Sequence, residues 1–309
     1  MRARSLVVAG LLLAFSSTSG AQNQNLAQRL GYSADAKLLI LHADDLAVAH
    51  SVDVATFEAL NQGAVSSASI MIPCPWLSEV AEYAKAHPEA DLGLHLTLSS
   101  EWKSYRWGAV SPRDQVPSLF DPEGYLWPTT AEAAPHINPQ EAEREIRAQV
   151  ETSLKMGIHP THLDSHMGVL YTKPALVAAL ANVAHEYHLP FLLLKVPGSP
   201  PDMYAALKPT DVLVDHLFVA SPPIQADDWL RYYTHFVETL PAGVSEFIVH
   251  LAYDDAEMQA ITIDHPDYGS AWRQRDFNVM TSPEFRHALE ENHVRLVTWR
   301  ELGKLLPQQ

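Results

Sequence analysis

The sequence predicts an α/β fold, organised as a single TIM-like (β/α) barrel. Short apolar runs alternate with helical patterns almost to the end of the 309-residue chain, and eight such runs are present. Alternating strands and helices are typical of parallel sheets, and about eight βα units in this length suit a barrel. An open doubly wound sheet is the alternative. Because no internal repeat or low-complexity linker divides the chain, we predict one domain spanning 22–309.

The strand predictions rest on apolar or alternating runs of six to eight residues. The predicted strands are Lys37–Ala43, Val65–Ile72, Asp91–Thr97, Pro160–Ser165, Pro190–Lys195, Asp211–Phe218, Val244–His250 and Val294–Trp299. Two connections, 98–138 and 251–282, are too long for simple turns. Long loops in a compact domain are usually functional or disordered, and the aromatic content of both argues against disorder.

The helix predictions rest on apolar residues at helical spacing with Pro or Gly near the ends. The run Gln140–Met156 is the clearest case, because it follows Pro139, is rich in strong helix formers and ends at Gly157. The predicted helices are Ser51–Gln62, Trp76–His87, Gln140–Met156, Lys173–Tyr187, Asp227–Leu240 and Pro283–Asn292.

Residues 1–21 have the pattern of a secretory signal peptide. Arg2 and Arg4 precede the apolar run 6–15, and the small residues 16–21 follow it. This run is shorter than the roughly 20 apolar residues of a membrane-spanning helix, which argues against the alternative of an uncleaved anchor. We therefore expect export to the periplasm or the extracellular space, with no stable membrane insertion.

The charge balance restricts the partners. The formal net charge is −16, and cleavage after Ala21 removes two arginines and no acid, which changes it to −18. Such an acidic chain is unsuited to nucleic acid and favours a neutral substrate and a bound cation. The single cysteine, Cys74, excludes an internal disulfide and is expected to be a buried, inert thiol. Nothing in the sequence decides between a monomer and a homodimer.

Ionisable side chains collect where four of the predicted strands end. They are Asp44 and Asp45, then His95, then His162, Asp164 and His166, and finally His250. Taken alone, His95 and His250 are each better explained as core residues satisfied by one hydrogen bond. His162, Asp164 and His166, however, would lie on one face if the predicted strand 160–165 continues by one residue. Three ionisable side chains on one buried face need charge compensation, and a bound metal ion would provide it. In a barrel all these strand ends form one rim, where active sites are built.

The same residues resemble a known family. The matching segments are Ala43–Asp45, Gly63–Met71, Gly93–His95 and Thr161–His166. In this order and spacing they resemble the YdjC-like carbohydrate deacetylases, of the chitooligosaccharide deacetylase type. The resemblance extends from about Lys37 to Gln308 and is weakest in the two long connections. It implies a TIM-like (β/α) barrel, in this family often incomplete or distorted, with one divalent metal ion.

The resemblance also implies roles for particular residues. By the family pattern, Asp45, His95 and His166 hold the metal, Asp44 is the general base, and His250 occupies the place of a late-strand histidine in the site. The sequence departs from the family pattern at Met167-Gly168, where further histidines are common, and at Leu251, where proline is usual. Neither departure affects a proposed ligand, but both lie where substrate would approach.

These observations predict a metal-dependent hydrolase that removes acetyl groups from an N- or O-acetylated sugar. The metal is Mg²⁺ or Zn²⁺, since the donor set is compatible with both. Either His250 or His162 protonates the leaving group, and we favour His250, with His162 orienting a ligand or Asp44. Candidate substrate-binding residues are Trp102, Trp107, Trp127, Trp272 and Arg275. The aromatic residues have the alternative role of fixing the long loops on the barrel.

Two other functions remain open at this point. One is a different metal enzyme using two histidines and one carboxylate, although such a site has no separate use for Asp44. The other is a non-catalytic carbohydrate-binding protein on the same fold, because fold does not fix function. A binding protein would tolerate the loss of Asp44, whereas the enzyme would not.

Overall fold

The computed structural model describes residues 24–307. The signal peptide predicted for residues 1–21 lies outside this range. The strands are β1 (Lys37–Leu46), β2 (Ser67–Ile70), β3 (Leu92–Leu96), β4 (Leu163–Ser165), β5 (His216–Val219), β6 (Gly243–Val249) and β7 (Val294–Leu296). The helices are α1 (Leu26–Arg29), α2 (His50–Asn61), α3 (Leu77–Ala86), α4 (Thr130–His136), α5 (Pro139–Lys155), α6 (Pro174–Tyr187), α7 (Trp229–Thr239), α8 (Ala256–Ile261), α9 (Ser270–Met280), α10 (Pro283–Glu291) and α11 (Trp299–Gly303).

All strand pairs in the described range are parallel, and the order is β4-β3-β2-β1-β6-β5. The seventh strand, β7, pairs with the first three residues of β1. No strand in 24–307 joins β4 to β5, so the ring does not close. The fold is therefore α/β with a curled parallel sheet, a distorted barrel rather than the closed eight-stranded form.

Two strand predictions are corrected by the structure. The segment predicted as Pro190–Lys195 makes only an isolated bridge, between Phe191 and Leu163. Proline donates no backbone hydrogen bond, and Pro190 and Pro197 flank the segment, so the ladder is not propagated. The run 211–218 forms a strand only over β5 at its end. These two segments border the open side of the barrel.

The two faces of the sheet have different surroundings. Successive residues of a strand point to opposite sides. Leu39 and Leu41 face the helices as part of the larger hydrophobic core, whereas Leu38 and Ile40 pack inside the barrel with Trp299. The inward positions that follow on β1 are polar, so the interior changes from apolar at the amino ends of the strands to ionisable at the carboxyl ends.

All six predicted helices are present, each within two residues of its predicted ends. Helices α4, α8 and α9 lie inside the two long connections, where no helix was predicted. Cys74 is buried, as expected. Within residues 24–307, none of the helices combines the length and apolar character needed to cross a bilayer.

Candidate active site

A bulge in β1 places two adjacent carboxylates in one site. The strand does not stop at Ala43 but continues to Leu46, and its register against β2 shifts between those residues. Asp45 has a φ of 73°, in the left-handed region that residues other than glycine rarely adopt. Such strain, on the order of 1–3 kcal/mol, is typically kept where function requires it. The irregularity lets Asp44 and Asp45 both line one cavity, although a regular strand would direct them to opposite faces.

The three side chains implied as metal ligands converge. Oδ1 of Asp45 lies 3.4 Å from Nε2 of His95 and 3.4 Å from Nδ1 of His166. All three residues are at least 95% buried, and this Oδ1 atom has no hydrogen-bond partner among the described residues. A buried carboxylate oxygen without a partner is costly, and a cation between these three atoms would satisfy it. The arrangement fits a divalent metal held by one carboxylate and two imidazoles.

A carboxylate holds each of the two histidines in position. Nδ1 of His95 lies 2.6 Å from Oδ1 of Asp164, and Nε2 of His166 lies 2.9 Å from Oε2 of Glu101. When each of these ring nitrogens donates to its carboxylate, the other nitrogen keeps a free lone pair directed at the site. This pattern of carboxylate, imidazole and open donor atom is typical of metal-binding histidines.

Arg273 fixes the remaining ligand. Its Nη2 donates to Oδ2 of Asp45 at 2.7 Å, and its Nε donates to the backbone oxygen of Tyr268 at 2.6 Å. Burial alone would raise the pKa of Asp45, but Arg273 and His166 hold it well below its usual range. Oδ2 is therefore neutralised by Arg273, which leaves Oδ1 as the donor atom for a metal.

The carboxylates also act on the two histidines. Burial lowers the pKa of His166, but Glu101 and Asp45 outweigh it and raise this pKa to about 10. The pKa of His95 is likewise raised by Asp44 and Asp164 against the effect of burial. The same buried negative charge that keeps protons on these two imidazoles would also attract a divalent cation.

Asp44 and His250 face each other beside the convergent atoms. Oδ2 of Asp44 lies 3.6 Å from Nε2 of His95 and 3.9 Å from Nε2 of His250. The backbone N–H of His250 donates to Asp276, which fixes the end of β6. Burial lowers the pKa of His250 to about 4, and Arg273 acts in the same direction. The site therefore has a carboxylate and a neutral imidazole on either side of one reaction space.

A layer of polar side chains lies beneath this space. Nε2 of His42 is 3.2 Å from Oδ1 of Asp44 and 3.2 Å from Oδ2 of Asp164, and its two ring nitrogens contact the hydroxyls of Ser67 and Ser69 at 2.9 and 3.0 Å. Sequence analysis missed His42. The signal was present, however, because His42 and Asp44 are two residues apart on one face of a predicted strand.

His162 belongs to this lower layer, where of its two predicted roles the orienting one fits and direct proton transfer to the leaving group does not. It is fully buried and does not line the cavity. Its ring stacks on Trp299 with centroids 5.0 Å apart, and its Nε2 lies 3.7 Å from Oδ2 of Asp164. Gly93 makes room for it, since a Cβ there would lie 2.3 Å from the ring. Its contact with Asp164 is indirect support for His95, not contact with substrate.

The cavity at the mouth of the barrel has a volume of about 680 Å³. Asp44, Asp45, His95, His166 and His250 all line it. Glu101 and Arg273 line it too, and sequence analysis did not select either as a site residue. Both lie in the long connections, where no periodic pattern indicates which way a side chain points.

Of the predicted substrate-binding residues, only Trp102 lines the cavity. Trp107 donates to the backbone of Ser99 and packs edge-on against His166, while Trp127 donates to the backbone of Ser118. Both side chains fix the first long connection on the barrel, so their prediction as substrate contacts is not supported.

Trp272 and Arg275 are also placed outside the cavity. The indole of Trp272 donates to Asp276 and packs edge-on against Trp229. The guanidinium of Arg275 lies over the ring of Trp229, 5.3 Å from its centroid. These contacts hold α9 against α7, and they account for Trp272 and Arg275 by packing rather than by substrate binding.

A distorted (β/α) barrel with a buried Asp-His-His set beside a separate carboxylate defines a protein that could hold one metal ion at the ends of its strands. Comparison with known proteins identifies the family: the YdjC-like protein family matches residues 38–291, and the chain belongs to this family.

Individual relatives extend over most of the chain. It is 31% identical to a carbohydrate deacetylase of Thermus thermophilus over 91% of this chain and 99% of that one. A chitooligosaccharide deacetylase of Yersinia enterocolitica is 32% identical over 50% of this chain and 58% of its own length. A solved structure from Enterococcus faecalis, provisionally described as a cellobiose-phosphate cleavage protein, is 27% identical, with a TM-score of 0.72 over 86% of this chain and 99% of that one.

Proposed function

We propose that the protein is a metal-dependent carbohydrate deacetylase that hydrolyses an N- or O-acetyl group of a sugar or oligosaccharide. Similarity to curated carbohydrate deacetylases over most of the chain identifies it as an enzyme of this class. The observation that supports the mechanism is Oδ1 of Asp45, which has no hydrogen-bond partner among the described residues and faces a nitrogen of His95 and one of His166 beside the carboxylate of Asp44.

In this proposal Asp45, His95 and His166 hold one divalent metal ion. When bound, such an ion lowers the pKa of water and polarises the acyl oxygen. The imidazole donors suit Zn²⁺, and the surrounding carboxylates are compatible with Mg²⁺. Asp164 and Glu101 keep the two histidines in the tautomers that present a lone pair.

The proton transfers are carried by side chains of the chain itself. Asp44 accepts the proton of the attacking water as general base. His250 is neutral before the reaction, so the proton that it delivers to the leaving nitrogen or oxygen is the one taken from water, which it receives from Asp44. The 3.9 Å distance between Oδ2 of Asp44 and Nε2 of His250 supports a role for both at the same acyl carbon. Trp102 lines the cavity but is only 3% exposed, and its ring lies under the guanidinium of Arg273, 5.6 Å from the ring centroid, so it supports Arg273 more directly than it could support a sugar.

The two alternative functions account for fewer of these contacts. Another two-histidine, one-carboxylate metal enzyme leaves Asp44 without a role. A non-catalytic binding protein leaves unexplained why Asp44 and His250 flank the same space, and why a strained Asp45 is retained.

The test is acetate release from a panel of N-acetylated and O-acetylated mono- and oligosaccharides. We expect release that a chelator abolishes and that added Zn²⁺ or Mg²⁺ restores. Absence of release across the panel with metal supplied would contradict the proposal.

We further propose that the chain is exported to the periplasm or the extracellular space. The support is the signal-peptide pattern of residues 1–21. Mass spectrometry of the protein from fractionated cells should find an amino terminus at residue 22 outside the cytoplasm. An intact chain that remains in the cytoplasm would contradict export.

A further inference from the structure

One part of the cavity wall is aliphatic and has no place in the mechanism above. We call it the aliphatic subsite, and it consists of Leu192, Leu217, Val219 and Ile248. These side chains come from β5, from β6 and from the extended segment after α6, which are the elements bordering the open side of the barrel. The metal-ligand set comes instead from β1, from β3 and from the end of β4.

The strand register shows that the subsite extends inward from the reaction space. Ile248 is two residues before His250 on β6 and therefore points to the same side, one level deeper. Val219 pairs with Ile248, and Leu217 pairs with Glu246, a further two residues down. Two residues of strand correspond to about 6–7 Å, so the aliphatic wall continues well past the length of an acetyl methyl group.

The side chains of the subsite also differ in how far they are exposed. Leu192 is 3% exposed, Leu217 and Ile248 are half-buried, and Val219 is 42% exposed. The subsite is therefore closed at Leu192 and accessible from the cavity at Val219. An exposed valine beside an active centre gains burial only when the substrate covers it.

Polarity decides which part of the substrate occupies the subsite. A sugar ring there would lose the water on its hydroxyls and find no hydrogen-bonding side chain among the four residues. Hydrogen-bonding groups are available at the mouth of the cavity instead, on Glu101, Thr129, His265 and Asp267. The sugar therefore lies at the mouth, and the alkyl part of the acyl group points into the subsite.

We propose that the enzyme accepts sugars carrying acyl groups longer than acetyl, with chains of about three to six carbons. The inference rests on the proposed hydrolysis and changes only its acyl specificity. Water oxygen bonds to the acyl carbon, and the C–N or C–O bond to the sugar breaks. The proton goes to the leaving nitrogen or oxygen, so that a short-chain carboxylic acid and a free amine or alcohol are the products.

The first experiment is a chain-length series on the metal-loaded full chain. The probes are p-nitrophenyl acetate, butyrate and hexanoate, followed by glucosamine N-acylated with the same three acids. Each buried methylene is expected to raise kcat/KM about threefold, which makes the butyryl compounds about tenfold better than the acetyl compounds. Acetyl compounds that are hydrolysed tenfold faster than butyryl compounds would overturn this inference and leave the deacetylase proposal standing. No hydrolysis of any acyl compound would overturn both.

Variants locate the effect in the subsite. Leu217→Phe and Ile248→Phe fill it and should lower the butyryl-to-acetyl ratio about tenfold, whereas Leu217→Ala enlarges it and should move the preference towards hexanoyl. Leu230→Phe is the matched control, because Leu230 is half-buried on α7 and does not line the cavity. The control should keep the ratio of the native protein. An unchanged ratio in all three subsite variants would refute the assignment.

Discussion

His42 and Asp44 point to the same side of β1, and Nε2 of His42 lies 3.2 Å from Oδ1 of Asp44. The same nitrogen is 3.2 Å from Oδ2 of Asp164. His42 thus connects the proposed base to the carboxylate that orients His95. Burial lowers its pKa, but Asp164 and Asp44 outweigh burial and raise this pKa well above the usual value, which favours the protonated imidazole.

We expect His42→Asn to impair both stability and turnover. The variant removes a buried positive charge from between two carboxylates, and breaking such a pair typically costs about 3–5 kcal/mol. The accompanying loss of orientation of Asp44 should lower kcat about tenfold to a hundredfold. Denaturant unfolding and steady-state kinetics measure the two effects. Native kcat in a metal-loaded variant would show that His42 is purely structural.

Asp44→Asn should abolish turnover without loss of metal. The amide cannot accept the water's proton, and removal of a general base typically lowers kcat about 10²–10⁴-fold. Metal content by elemental analysis and the melting temperature should stay close to native. Asp45→Asn is the matched comparison, since it should lose metal as well as activity. A fully active Asp44→Asn enzyme would disprove the base assignment.

Metal affinity should fall further when a ligand residue is replaced than when a residue that supports a ligand is replaced. His166→Ala removes a donor atom and should abolish metal binding. Glu101→Gln keeps the imidazole but weakens its orientation, and should lower metal affinity about tenfold to a hundredfold. Competition with a chromogenic chelator gives both affinities. Equal loss in the two variants would contradict the distinction between ligand and supporting residue.

His250→Ala should slow the hydrolysis of acetamido sugars far more than that of p-nitrophenyl acetate. The amine needs a proton to leave, and loss of a general acid typically costs about 10²–10⁴-fold, whereas p-nitrophenolate leaves unprotonated. The ratio of the two kcat/KM values is the measurement. His287→Ala, at an exposed position on α10, is the control. An equal decrease with both substrates would argue against His250 as the acid.

Glu246→Gln should stabilise the protein at high pH. Burial raises the pKa of Glu246 to about 8 from an ordinary value of 4.5, and neither of its oxygens has a partner among the described residues. The folded state thus holds the proton to a higher pH than the unfolded state. The native protein therefore loses stability as pH rises from about 4.5 to about 8, and the loss stays constant above that.

The measurement is the melting temperature of both proteins across pH 4 to 9. The difference between variant and native should be small near pH 4 and should grow to several degrees by pH 8.5. A difference that does not change with pH would mean that Glu246 is already ionised in the folded protein.

The sequence was sufficient for the regular elements because they depend on local patterns. All six predicted helices are observed, and the strands carrying Asp44, His95 and His250 were located. It was insufficient at the open side of the barrel. There, the apolar run 190–195 has the pattern of a strand, but in the structure it pairs with β4 only at the bridge between Phe191 and Leu163.

For the site, the sequence by itself determined the family, the ionisable residues at the strand ends and the candidate donor set. Alternation along a strand and placement at its carboxyl end are properties of a few consecutive residues. Only the tertiary structure decided that Glu101 holds His166 and that Arg273 neutralises one oxygen of Asp45. The two pairs are separated by 65 and 228 residues in the chain, and Glu101 and Arg273 both come from the long connections, for which the sequence predicted no regular element. It also decided that His162 lies below the cavity and that four of the five predicted substrate contacts lie outside it, where they fix a loop or pack one helix on another. The physical reason is that the direction of a loop side chain is set by packing against distant elements, which no local periodicity records.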